Sequence, residues 1–122
     1  MVLCDTNIII EVFKNNSEII KVLKGIGQEN LSVSVITVQE LVYGARNKAE
    51  LKKIMSGIQS ITTYYVNDDI SKLSLKLMLD YSLSNRLSIP DSYIASTSLF
   101  YKIPLYTLNK KDFKYIPDLV LH

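Results

Sequence analysis

Five short apolar, strand-forming runs punctuate the chain, at residues 2–4, 31–35, 61–66, 105–107 and, more weakly, 119–121, and longer stretches with helical spacing separate them. Parallel neighbours need a crossover connection, usually a helix, because a tight hairpin cannot join them. The alternation therefore predicts a parallel α/β sheet with helices on its faces. The same topology fixes where function is sought. Strand C-termini and the following helix N-termini share one edge, and ligands bind there, where the strand order reverses.

Two helices are predicted most clearly. One begins near Asp68 and carries Ile70, Leu73, Leu77 and Tyr81 at spacings of three and four before ending around Asn85 and Arg86. Its apolar stripe is expected to pack on the sheet. The other starts at Pro90 and Asp91, Pro being favoured at a helix start, and runs through Ile94, Ala95, Leu99 and Phe100 to Lys102. At 122 residues, without repeats, low-complexity tracts or a Gly/Pro-rich linker, residues 1–122 are expected to form one domain. No apolar run is long enough to cross a bilayer, and an acid at position 5 does not suit a leader sequence, so an uncleaved soluble protein is expected. The one cysteine, Cys4, lies in a strand-like run and reads as a core residue of a reducing compartment, which points to the cytoplasm.

The polar residues at the predicted sheet edge are mostly acids. Asp5 follows the first run, Glu40 is expected in the first turn of the helix after the second, Asp91 opens the late helix and Asp112 follows the fourth run. Each has a structural reading of its own. Asp5-Thr6-Asn7 offers three capping residues, Thr37-Val38-Gln39-Glu40 fits a capping box, Asp91 suits a helix dipole, and Asp112 suits a turn. Together they have a different consequence. Two carboxylates about 4 Å apart repel by roughly 4 kcal/mol at an effective dielectric of about 20, so a converging set must protonate or take up a cation. Oxygen-only ligation favours Mg²⁺ or Mn²⁺, one or two ions, suited to phosphodiester chemistry.

Other chemistries find no support in the residues. The only histidine, His122, is the last residue and is expected to fray, and Cys4 lacks a base to activate it. Neither a P-loop nor a Gly-x-Gly-x-x-Gly pattern occurs. A net charge of +2 neither demands nor excludes nucleic acid. Lys110, Lys111 and Lys114 beside Asp112, and Arg46 and Lys48 after Glu40, offer phosphate-attracting charge, while Tyr43 and Tyr93 offer rings for unpaired bases.

Four segments, residues 2–7, 35–44, 89–95 and 107–113, resemble in order the motifs of the PIN-domain family, and within it the short VapC-type toxins. The resemblance implies an α/β/α sandwich around a parallel sheet of four to five strands. It further implies Mg²⁺- or Mn²⁺-dependent endoribonuclease activity, homodimerisation, and inhibition by a cognate VapB-type antitoxin whose C-terminal segment enters the active-site groove. The family's metal-ligating acids map onto Asp5 and Asp91, with Glu40 and Asp112 completing the set, and its polar supporting positions onto Asn7, Thr107 and Asn109. Two rivals are weighed against it. A non-catalytic module of the same fold would keep the partner and lose the chemistry. A phosphoacceptor receiver domain would need an Asp after the third strand, where Asp68 and Asp69 stand, and an acidic pair after the first, which is missing.

Overall fold

The computed structural model describes residues 1–122. Four strands form one parallel sheet: β1 (Val2–Cys4), β2 (Leu31–Ser34), β3 (Thr62–Tyr64) and β4 (Leu105–Tyr106), in the order β3-β2-β1-β4. The first three strands build the sheet outward in one direction. The chain then returns across it to place β4 on the free side of β1, so the order reverses at the β1–β4 pair. That crevice is where an open parallel sheet binds its ligands.

Helices α1 (Thr6–Phe13), α2 (Ser17–Ile26), α3 (Val35–Tyr43) and α4 (Lys48–Ile58) contribute to one layer, and α5 (Asp68–Asn85) and α6 (Ile89–Tyr101) form the other. The two-residue period of β1 divides its side chains between them. Val2 and Cys4 join Ile8, Ile19, Val33 and Leu41 on the first face, while Leu3 joins Leu77, Ile94, Leu105 and Phe113 on the second. The expected α/β/α sandwich is thus present, and Cys4 is a buried core residue.

Local chemistry sets the helix starts. Asn16 Oδ1 accepts from Glu18 N–H and Ile19 N–H, Ser34 Oγ from Ile36 N–H, and Asn47 Oδ1 from Glu50 N–H. Of the two predicted late helices, α5 begins at Asp68 as expected and α6 at Ile89, one residue before Pro90. Asn67 caps α5 by accepting from Ile70 N–H at 2.8 Å, and Ser88 caps α6 by accepting from Asp91 N–H at 3.2 Å. Both therefore place their acids within the first helical turn. The stripe of α5 does face inward, with Ile70 and Leu77 buried, and its main partner is α6.

Two expectations are corrected at the C-terminus. The run 119–121 forms only an isolated parallel bridge, Leu105 to Leu121, because Pro117 and Asp118, with φ of 66°, turn the chain just before it and leave few residues to pair. His122 is not frayed: its N–H donates to Leu105 O at 2.8 Å and its ring meets Tyr106 edge-on. No helix is long and apolar enough to cross a membrane.

Candidate active site

At the β1–β4 crevice the last paired residues are Cys4 and Tyr106, so Asp5 and Thr107 leave the sheet side by side. Asp5 N–H donates to Tyr106 O at 2.9 Å, which carries the backbone pairing one residue past the strands. The Asp5 side chain, only 5% exposed, is the N-cap of α1 and accepts from Thr6 N–H at 2.7 Å. Its other oxygen accepts from Thr107 Oγ1–H at 2.7 Å and from Asn7 Nδ2–H at 3.3 Å. The expected cap and the expected site residue are one and the same group.

The supporting positions lock this arrangement from behind. Asn7 Oδ1 accepts from Leu108 N–H at 3.2 Å, and Asn109 N–H donates to Thr107 Oγ1 at 3.0 Å. Asn109 thus acts through its backbone, holding the turn that aims Thr107. Donors surround a carboxylate that burial would otherwise neutralise. Burial pushes the Asp5 pKa up, the Thr107 and Thr6 hydrogen bonds pull it down, and the charges of Glu40 and Asp112 raise it further.

Glu40 corrects the sequence reading. Helix α3 begins at Val35 under a Ser34 cap, so Thr37 is inside the helix and Glu40 lies in its second turn, out of reach of a capping box. Instead Glu40 Oε1 accepts from Thr6 Oγ1–H at 2.7 Å, and the Thr37 hydroxyl lies 3.0 Å from the same Thr6 oxygen. Thr6 and Thr37 join the candidate site, where the sequence reading gave them only capping roles. Their signal was the three-residue spacing of Thr37 and Glu40, which puts both on the helix face that meets the residue after Asp5.

Asp91 sits half-buried in the first turn of α6, with the Ser88 side chain as its hydrogen-bonding neighbour. Its pKa is pushed up to about 6, by burial first, then by the Asp5 charge, with Asp112 and Glu40 adding to the rise and Ser88 opposing it. Asp112 is exposed on a 3₁₀ turn spanning Lys110–Asp112. All four acids therefore share one field. No cation relieves it: the molecule's single ion pair joins Arg46 to Glu50 at 3.0 Å, with Arg46 Nε also donating to both Glu50 oxygens. Arg46 is thereby spent as an attractor of phosphate.

The donor set fits a hard divalent cation in chemistry. The four groups offer only carboxylate oxygen, they repel one another without a positive partner, and Asp91 and Asp112 keep unused acceptors. They do not form a tight ready-made cage, since no three His, Cys, Asp or Glu side chains are gathered closely enough to hold an ion as they stand. Burial, with Asp5 adding, pushes the Cys4 thiol up to about 12, which removes it as a nucleophile. Asp68 and Asp69 are exposed beyond β3, with β2 between that strand and β1, so the phosphoacceptor geometry of a receiver domain is not assembled here.

Residues 2–119 match the family model for the PIN domain. The chain belongs to the PIN domain family. Among solved structures, this PIN chain is similar to a toxin–antitoxin complex from Klebsiella pneumoniae, with 28% identity, a TM-score of 0.84, and 98% of this chain and 96% of the other covered. It is equally similar to VapBC-1 from nontypeable Haemophilus influenzae, with 28% identity, a TM-score of 0.84, and coverage of 100% and 97%. VapBC2 from Rickettsia felis, solved bound to a DNA fragment from its promoter, aligns with a TM-score of 0.84 over 100% and 98% of the two chains. At 23% identity it speaks for the fold alone. No curated protein sequence matches the chain.

Proposed function

We propose that this PIN chain is a Mg²⁺- or Mn²⁺-dependent endoribonuclease and the toxin of a VapBC-type pair, with residues 1–122 acting as one catalytic unit. One observation supports the reading: four carboxylates without an ion-pair partner share one field at the switch-point crevice, and burial first, with their charges adding, raises the pKa of Asp5 and of half-buried Asp91. Asp5 and Asp91 would hold one or two divalent ions, with Glu40 and Asp112 completing the set. When bound, such an ion polarises a phosphodiester and lowers the pKa of a water.

The chain's own contribution is position. Thr107, Thr6 and Asn7 fix Asp5, and Thr6 relays that order to Glu40. RNA is favoured as substrate because PIN domains are generally nucleases and because Lys110, Lys111 and Lys114, all exposed, border the Asp112 side of the crevice. A shallow groove lined by Ile36, Tyr43, Ile89 and Tyr93 adjoins Glu40, with Tyr43 93% exposed and free to stack on an unpaired base. A VapB-type antitoxin is the proposed partner, on the likeness to toxin–antitoxin complexes at 28% identity, together with homodimerisation and a cytoplasmic site of action.

The test is cleavage of single-stranded RNA by purified protein. Mn²⁺ or Mg²⁺ is expected to support it, chelation to stop it, and Asp91→Asn to abolish it in a folded chain. Full activity of Asp91→Asn would overturn the carboxylate–cation reading. Expression is expected to arrest growth unless a small neighbouring gene product is supplied.

A further inference from the structure

Inside a helix a threonine hydroxyl commonly turns back on its own backbone. Thr97 of α6 does so, donating to Tyr93 O four residues earlier at 2.8 Å. Thr37 of α3 does not. Its hydroxyl, fully buried, has a single partner, the Thr6 Oγ1 atom 3.0 Å away at the start of α1. Thr6 Oγ1 lies 2.7 Å from Glu40 Oε1, while Thr6 N–H donates to Asp5 Oδ1 at 2.7 Å. One half-buried threonine therefore holds two of the four acids.

Counting protons gives these contacts a direction. The Thr6 hydroxyl has one proton and two oxygens beside it. A carboxylate only accepts, and a hydroxyl bond to a charged oxygen is the stronger of the two, so the Thr6 proton belongs on Glu40. The Thr37 proton has no other acceptor and no access to water, so it belongs on Thr6. The order runs from Thr37 through Thr6 to Glu40, from the core out to an exposed carboxylate. A hydroxyl that accepts one bond donates the next more strongly.

We propose that Thr37 is a positioning residue of the acid site: its buried hydroxyl donates to Thr6 and so fixes the Thr6 hydroxyl on Glu40, presenting that carboxylate beside Asp5 to a divalent cation. The inference rests on the carboxylate–cation reading above and adds to it a residue that hydrogen-bonds none of the acids itself. An exposed glutamate is otherwise free to change rotamer, and anchoring one of its oxygens leaves the other for the ion. Outer hydrogen bonds of this kind orient a ligating group and raise its affinity for metal.

The test measures Mn²⁺ affinity by calorimetry and melting temperature without metal. Thr37→Val keeps the branched shape, deletes the hydroxyl, and is expected to bind Mn²⁺ about tenfold more weakly. Thr37→Ser keeps the hydroxyl and is expected to bind as the parent does. In a Glu40→Ala background Thr37→Val is expected to cost no further affinity, because the relay has lost its end. Thr6→Val breaks the same relay at a half-buried position and is expected to repeat the loss, which keeps the proposal open to refutation should Thr37→Val not fold. A hydroxyl that serves only the packing of α1 on α3 predicts lower melting with unchanged Mn²⁺ affinity, or an equal loss of affinity with and without Glu40. Either result overturns the proposal and leaves the cation reading standing. A parent chain that binds no Mn²⁺ sinks both.

Discussion

Asp5 and Asp91 stand on one edge of one sheet, yet they are held in opposite ways. Asp5 is surrounded by three donors from two parts of the chain: an N–H and an asparagine side chain from the start of α1, the latter with its own oxygen tied to the next loop, and a strand-end threonine. Asp91 has the charges of its neighbours and little to offset them. The built half has its geometry set before anything binds. The open half carries repulsion that Ser88 offsets only in part and that a cation or a proton can relieve. A site divided this way is preorganised on one side and responsive on the other.

The largest effects should come from removing the two acids, and stability should tell the halves apart. Asp5→Asn and Asp91→Asn are each expected to lower RNA cleavage by at least about a thousandfold, roughly 4 kcal/mol of barrier. In the metal-free protein their melting temperatures should move in opposite directions. An amide at position 5 must turn its NH₂ toward another donor, either Thr6 N–H or Asn7 Nδ2, and so breaks the network. At position 91 the amide removes a half-buried charge that Ser88 alone offsets. If both variants melt alike, the two halves are not built differently.

Thr107→Val comes next, since it keeps the volume and deletes the donor on which Asp5 depends. Loss of a buried hydrogen bond to a charged group should cost about 2 kcal/mol. Cleavage is expected to fall by about tenfold or more, because Asp5 would no longer be held in place. Urea melts and single-turnover cleavage measure the two. A variant that keeps full cleavage would show that the order around Asp5 is dispensable.

How much of this division was legible in the sequence follows from how far apart the partners lie. Strand β1 and Asp5 were readable because a two-residue pattern and the acid after it are local. So was the helical placing of Asp91, next to the proline that marks the start of its helix. The contact between Thr6 and Glu40 spans 34 residues and that between Asp5 and Thr107 spans 102, and neither leaves a local trace. Glu40 was misread for that reason. Thr37 and Glu40 have the spacing of a capping box, but the helix starts two residues before Thr37, under Ser34, and only tertiary packing gives Glu40 its partner. His122 was misjudged by its position at the end of the chain, where one backbone bond to Leu105 and a tyrosine face suffice to hold it.

A pH series sharpens the comparison without any substitution. The folded pKa of Asp91, about 6, lies above its ordinary 3.8, so between those values the folded state binds a proton that the unfolded chain has released. Stability from this group is therefore fully present below the ordinary value and lost as pH rises through about 6. Asp5 is shifted in the same direction. Metal-free melting temperature should rise on going from about pH 7.5 to about pH 5, and stabilisation by Mn²⁺ should be large at the first and small at the second, where protons compete for the acids. Asp91→Asn should flatten both trends. An unchanged Mn²⁺ increment across the series would mean that the cation does not meet the titrating acids.

The smallest effect separates the basic residues that border the two halves. Arg46, near Glu40, is engaged bidentately by Glu50, so Arg46→Ala should change RNA affinity by no more than about twofold, as expected when an exposed pair is lost. Lys110 and Lys111 beside Asp112 have no such partner. Replacing both with alanine should weaken binding of a non-cleaved single-stranded RNA severalfold and reduce the salt dependence of binding by about one phosphate contact each. The salt slope is the discriminating measurement, because it counts charges brought against phosphate and is insensitive to small losses of fold stability. A larger change of slope for Arg46→Ala than for the lysine pair would place the phosphate path along the built half of the site, with the Glu50 pair opening to admit it.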